Sequence, residues 1–337
     1  MYLNSHLPDY RSKESGVLYI IGNGFDLYHG LETRYINFYE WLEEKDPHFV
    51  YMMQKIYPQT DPKAFSPTNA CGYMLWKDFE KALGRNEDLS KLHHLICEDE
   101  VADFSSLPLK SQQTIGAEKV KETLNKICPL LKEWAESFAD KYKDVKKRLP
   151  LGENSKYITF NYTRVLEEVY GIEGEEHVWH IHGSVCDDNV ITGYDTNLFS
   201  TTIYGSPLEE ASERNIRQEL ENMRKPTEDV YQHLPDAFKD MNGIKTIIVI
   251  GHSLADVDIP YLRYMLDSLP AYSNIKWQYW LHNEEAKKEA QEKIGNLRNE
   301  PVFEDRMTEE SWDYHIMDDW KEIERQQKER NKNIIFE

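Results

Sequence analysis

Cysteine is scarce in this sequence. Only Cys71, Cys97, Cys128 and Cys186 occur among 337 residues, and none belongs to a C-x-x-C pair. Neither a disulfide framework nor a zinc ribbon is expected, and scattered thiols suit a reducing cytoplasm. Long apolar runs are also missing. None approaches the roughly 20 residues that a helical membrane span requires. The first residues, MYLNSHLPDYRSKES, hold no apolar core, so no signal peptide is expected. Positive charge is in deficit, with 40 Lys and Arg against 60 Asp and Glu for a net charge of -20. Such a surface repels phosphate backbones and anionic lipid, so neither nucleic acid nor membrane is an expected partner.

What remains suits a soluble cytoplasmic α/β protein, built as one large domain with an insertion or as two domains. Hydrophobic residues make up 40% of the chain, enough for a sizeable core. Five short runs rich in β-branched and aromatic residues read as strands: 17–21 (VLYII), 156–160 (KYITF), 177–181 (HVWHI), 246–250 (TIIVI) and 276–280 (KWQYW). Near-continuous apolar strands are covered on both faces, which predicts a parallel, Rossmann-like sheet. Helical spacing marks 35–45, 117–149 and 207–224, with a kink or a break into two helices at Pro129. The stretch 60–72 reads as loop. Trp312, Ile316 and Trp320 stand at i, i+4 and i+8, so 308–332 is expected to be helical. The predicted organisation is a sheet domain from 17–35 plus 155–285, a helical insertion over 36–150 and a charged helical segment over 286–337.

In an open parallel sheet, ligands bind beyond the carboxyl ends of the strands. Four predicted strands end in polar residues: Gly22-Asn23-Gly24-Phe25-Asp26, Asn161-Tyr162-Thr163, His182-Gly183-Ser184 and Gly251-His252-Ser253-Leu254. Gly22 and Gly24 allow a sharp turn and close approach of backbone to a ligand. A helix starting near Asp26 or Leu27 would aim its N–H groups at a pyrophosphate. A structural reading stands beside each of these. The glycines also fit a tight strand-to-helix turn, and Asp26 and Asn161 also fit helix N-caps. His182 has a side chain suited to general base work at neutral pH. His180 and His182 lack a third ligand of convincing spacing, so no metal is expected.

The combination LYIIGNGFDLYHGL, TFNYT, IHGS and IGHSLADVD resembles the phage abortive-infection AbiH family, over most of the chain. The strand-end blocks, within 17–35 and about 155–285, are more distantly similar to sirtuin-like NAD-consuming domains. Gly22 and Gly24 match the first glycine block, Asn161 the catalytic asparagine, His182-Gly183 the catalytic histidine and its glycine, and Gly251-His252-Ser253-Leu254 the last block. Three departures are visible: Thr163 stands where an aspartate is expected, Arg34 is one residue early for the sirtuin arginine, and no four-cysteine zinc module is present. The resemblance therefore implies NAD cleavage without an acyl-lysine acceptor. Asn161 and His182 would be catalytic. Gly22, Asn23, Gly24, Phe25, Asp26, Thr159, Tyr162, Gly251, His252 and Ser253 would contact NAD, which is substrate and the only nucleotide expected. A second copy of the chain or a defence protein is an allowed partner.

Two other readings stay open on the sequence. Gly251-x-Ser253 after a strand is similar to a serine-hydrolase nucleophile elbow, with Asp256, Asp258 or Asp267 and His282 or His315 to complete a triad. Alternatively, the same strand ends bind NAD or ADP-ribose without cleaving it, as a sensor.

Overall fold

A computed structural model of the chain describes residues 16–57, 79–84, 89, 92, 96, 103–195, 207–239, 241–267, 269, 275–299 and 312–317. The predicted 60–72 loop, Cys71, Cys97 and Trp320 lie outside these residues. The chain divides into two compact units. One, the sheet unit, takes in residues up to Thr33, Ala135–Asp187 and the chain from Thr227 onward; the helical unit takes in Arg34–Trp134 and Asp188–Pro226. The helical unit thus draws on two chain segments, where the sequence reading drew one insertion over 36–150.

The sheet has six strands: β1 (Val17–Ile21), β2 (Lys156–Thr159), β3 (Val178–His180), β4 (Thr246–Ile250), β5 (Lys276–Leu281) and β6 (Trp312–Ile316). Their order is β3-β2-β1-β4-β5-β6, and every pairing is parallel. This is the Rossmann order, whose direction of winding reverses between β1 and β4. Every residue of β1 and of β4 is buried. Leu18, Ile20, Ile158, Ile247, Val249, Leu262, Met265 and Trp277 form part of one apolar cluster. Tyr19 and Tyr157, partners in register, stack at 4.6 Å.

β6 corrects the sequence reading. Residues 312–316 are strand rather than helix, and the Trp312 ring stacks on Trp277 of β5 at 4.8 Å. Offsets of four and eight are even, so a helical stripe at that spacing also satisfies the two-residue period of a strand. Ahead of β6, Glu284–Arg298 is helical, opened by Asn283, whose side chain accepts the Ala286 N–H at 2.8 Å.

In the helical unit, Tyr35–Lys45 forms a helix as expected, burying Phe38, Tyr39 and Leu42. Asp46 then starts Pro47–Ile56, accepting the Phe49 N–H at 2.9 Å, with Pro47 in the first turn. The long periodic stretch is two helices, Leu109–Leu124 and Ile127–Glu136. Pro129 sits in the first turn of the second, where its missing N–H leaves no hydrogen bond unmade. Pro207–Glu221 packs beside Leu109–Leu124, and Asn215 Nδ2 donates to the Gln113 carbonyl at 2.9 Å. Among the described residues, no helix is long and apolar enough to cross a membrane.

Candidate active site

The site gathers at the carboxyl ends of β1, β2, β3 and β4, all within the sheet unit. At the winding reversal the Gly22 N–H donates to Ile250 O at 3.0 Å, and the Gly24 N–H donates to Gly251 O at 2.8 Å. A Cβ on Gly24 would lie 2.6 Å from Gly251 Cα; one on Gly251, whose φ is +62°, would lie 2.3 Å from Phe25 N. The close approach that these glycines permit is therefore to each other's turns, backbone on backbone. The following helix, Asn23–Tyr28, starts earlier than the expected Asp26 or Leu27, with Gly22 as its N-cap. Asn23 is exposed; its amide clasps Thr33, donating to the carbonyl at 2.8 Å and accepting the hydroxyl at 2.6 Å. Phe25 is buried and packs on His29 and Tyr170.

Asp26 lies inside that helix, only 1% exposed, so it caps nothing. Its Oδ1 accepts Asn161 Nδ2 at 3.0 Å and its Oδ2 accepts the Thr163 hydroxyl at 2.5 Å. Asn161 Nδ2 also donates to the Gly22 carbonyl at 3.2 Å. A carbonyl can only accept, which fixes the orientation of the Asn161 amide. The Asn161 N–H donates to Thr159 Oγ1 at 3.1 Å, so Thr159, expected at NAD, supports the asparagine. The next helical segment begins only at Leu166, so Asn161 is not an N-cap either. Burial pushes the Asp26 carboxyl up to about 7, against the opposing pull of the Thr163 and Asn161 hydrogen bonds.

The segment Leu166–Tyr170 is a single wide, π-helical turn, a form that often marks functional sites. Two of its side chains reach the strand ends. Glu167 Oε1 lies 2.8 Å from His180 Nε2, and His180 Nδ1 donates to the Asn161 carbonyl at 2.9 Å. Tyr170 accepts the N–H groups of Arg148 and Leu149, both at 3.1 Å, and its hydroxyl meets His29 Nε2 at 2.7 Å. His29 Nδ1 donates to the Phe25 carbonyl at 2.7 Å. Burial lowers the His29 pKa to about 4, with the Arg148 charge acting in the same direction, so the ring is neutral and holds the helix to the Tyr170 turn.

On the other side of Asn161, two histidines face one carboxylate. His182 Nε2 lies 3.9 Å from Asp258 Oδ1, and His252 Nε2 lies 3.4 Å from Asp258 Oδ2. All three residues are buried. His252 Nδ1 accepts the Leu254 N–H at 3.0 Å, so the neutral ring carries its proton on Nε2, toward Asp258. Phe160 stands edge-on to His182 at 5.3 Å and tilted over His252 at 4.2 Å, while Tyr162 stacks on His182 at 6.3 Å. Ser253 is exposed, and no contact of its hydroxyl with a histidine is found among the described residues. The left-handed residues of its turn are Gly251 and Leu254, not the serine that a strained elbow would demand. Among the described residues, no group of three His, Cys, Asp or Glu side chains could hold a metal ion.

Residues 18–281, from β1 through β5 and including every site residue above, match the family described as Bacteriophage abortive infection AbiH. The chain belongs to the AbiH family. Its role in phage abortive infection comes with that membership. No curated protein matches the chain.

In this AbiH chain the sequence-predicted residues Gly22, Gly24, Asp26, Asn161, Gly251 and His252 touch one another directly, and Asp258 links His252 to His182. Glu167, Tyr170 and Asp258 were not singled out as site residues on the NAD reading. Glu167 and Tyr170 lie beyond the Asn161 strand-end block, and the hydrolase reading left Asp258 interchangeable with Asp256 and Asp267. The final acid of IGHSLADVD, just past the glycine turn after β4, was the available signal for Asp258.

Proposed function

We propose that this site hydrolyses NAD to nicotinamide and ADP-ribose, and that the loss of NAD is how the protein acts in abortive infection. The observation that carries the reading is the junction at the winding reversal. Asn161 is locked to the Gly22 turn, and His182 stands at the end of the neighbouring strand with a carboxylate behind it. Rossmann-order sheets bind nucleotides at this reversal, and the distant likeness to sirtuin-like domains supports the same two residues.

In the proposed reaction the bond from ribose C1′ to the pyridinium nitrogen breaks. Its electron pair neutralises the ring, so the leaving group needs no proton. Water oxygen bonds to C1′, and its proton passes to His182. Asn161 Oδ1 accepts from that water or from a ribose hydroxyl, and Asp258 orients the imidazole and stabilises it once charged.

Nicotinamide release from NAD by the purified protein, and NAD levels in infected cells, test this. Asn161→Ala and His182→Ala should each lower turnover by roughly 10²- to 10⁴-fold with unchanged circular dichroism. Turnover like wild type in either variant overturns the assignment. Ser253→Ala should retain hydrolysis; its complete loss, with fluorophosphonate labelling of Ser253, would establish a serine hydrolase instead. Saturable NAD binding without nicotinamide release, alone and during infection, would establish a sensor.

A further inference from the structure

Asn161 has an unusual hydrogen-bond pattern for a residue meant to meet a ligand. Both of its Nδ2 protons are engaged, one by the Gly22 carbonyl and one by Asp26 Oδ1. Its carbonyl is taken by His180 and its N–H by Thr159. Only Oδ1 carries no hydrogen bond among the described residues, so the side chain offers a ligand an acceptor and nothing else. Without the Asp26 contact, only the 3.2 Å hydrogen bond to the Gly22 carbonyl would keep the amide from turning over to present a donor. The orientation therefore rests on two acceptors, the Gly22 carbonyl and a carboxylate that joins position 26 to position 161.

We infer that Asp26 is a positioning residue for Asn161: its two oxygens, bound to the Asn161 amide and the Thr163 hydroxyl, hold Oδ1 as the only outward-facing atom of that side chain. The inference rests on the reading of Asn161 as a residue that meets substrate. It reassigns Asp26, which the sequence marked as an NAD contact, because both carboxylate oxygens face the interior. The arrangement is proton-sensitive. The groups around Asp26 are Thr163, Asn161, His180 and Glu167, with the Tyr142 phenol also within electrostatic reach. No lysine or arginine is among them, and burial holds the carboxyl up to about 7. The ionised form accepts both hydrogen bonds. A proton on either oxygen weakens one of them, so the fixed orientation of Asn161 strengthens as pH rises through neutrality.

Two measurements on the full chain test this. With selectively ¹⁵N-asparagine-labelled protein, the Asn161 side-chain amide is assigned by its loss in Asn161→Ala. Wild type should show two well-separated, slowly exchanging protons whose shifts titrate near neutral pH. In Asp26→Ala they should collapse toward free-amide values. In Asp26→Asn, which keeps an acceptor toward Asn161 but cannot titrate, they should stay separated and lose the titration. In NAD turnover, Asp26→Ala should lower kcat about 10²-fold with KM within about twofold, because the amide is misplaced while NAD keeps the groups that bind it. Asp26→Asn should recover at least part of kcat and lose one inflection of the pH profile.

An Asn161 amide signal unchanged in Asp26→Ala overturns the inference, as does an unaltered titration in Asp26→Asn. Should Asp26→Ala fail to fold, Asp26→Asn and Thr163→Val decide the matter by the same amide signals. Amide signals that behave as expected in a protein that never releases nicotinamide would leave the positioning role standing and overturn the proposed reaction alone.

Discussion

Each unit of the molecule holds a carboxylate largely out of solvent, half-buried Glu80 in one and buried Asp26 in the other, and the two are held in opposite ways. In the helical unit Glu80 meets the ammonium of Lys225 at 3.0 Å and the Thr192 hydroxyl at 3.1 Å, and the Lys225 side chain has no exposure at all. In the sheet unit Asp26 meets a hydroxyl and an amide, with no cation among the groups acting on it except the histidine His180. Glu80 ties together the two chain segments of its unit, since it comes from the first while Thr192 and Lys225 come from the second. A carboxylate buried with a fixed cation stays charged and serves as a joint. One buried among neutral dipoles is left poised between two protonation states, which a joint does not need and a reacting centre can use.

The sharpest way to break the comparison is to remove the cation. Lys225→Met leaves Glu80, whose side chain is only 13% exposed, without its counter-ion and should destabilise the protein by about 3 kcal/mol in urea unfolding. The double variant Lys225→Met/Glu80→Leu should regain most of that. A single variant as stable as wild type would show that Glu80 is no joint.

Next in size is the contrasting case. The folded pKa of Asp26, about 7, lies above its ordinary value of 3.8, so the folded chain holds a proton that the unfolded chain has released between these values. Stability therefore falls as pH rises across that window, by about 4 kcal/mol at most. Asp26→Asn should remove the fall, so the urea midpoint of the variant should gain on wild type steadily from pH 4 to pH 8. A difference that does not change with pH would mean that Asp26 is charged throughout.

A smaller effect of opposite sign comes from His29, three residues along the same turn. Its folded pKa, about 4, lies below the ordinary 6.5, so the unfolded chain binds a proton first as the solution is acidified. The His29 contribution to stability should fall by about 3 kcal/mol between pH 6.5 and pH 4. Because the Asp26 and His29 windows overlap with opposite signs, the two contributions largely offset each other in wild type, and His29→Asn should unmask the Asp26 fall between about pH 4 and pH 7 in thermal midpoints taken at half-unit intervals of pH.

The fold was legible where burial leaves a mark on composition. VLYII and TIIVI are apolar at every position because β1 and β4 are covered on both faces, and these two central strands sit at their expected bounds. β6 was not legible, because its aromatic spacing serves a helix and a strand alike. At the site, strand ends pointed to Asn161 and His182, since glycine and polar residues interrupt the apolar runs there. The partnerships were hidden. Asp26 meets Asn161 across 135 positions, and His29 meets Tyr170 across 141. No local period encodes such a pairing. Thr163 was visible only as a missing aspartate; the structure shows its hydroxyl turned to a carboxylate supplied from position 26.

The backbone-on-backbone meeting of Gly24 with Gly251 also sets a timetable for biosynthesis. β1 ends at Ile21 and β4 begins at Thr246, so the strand that completes the glycine junction leaves the ribosome 225 residues later (246 less 21). At about 5–20 residues per second, this delay is roughly 11–45 seconds. Throughout it, β1 has no neighbour on its β4 side, and the turn at Gly22 lacks the carbonyls of Ile250 and Gly251 that shape it. A growing chain therefore cannot hold a finished site until it has been made as far as Asp258, whatever its first fifty residues already contain.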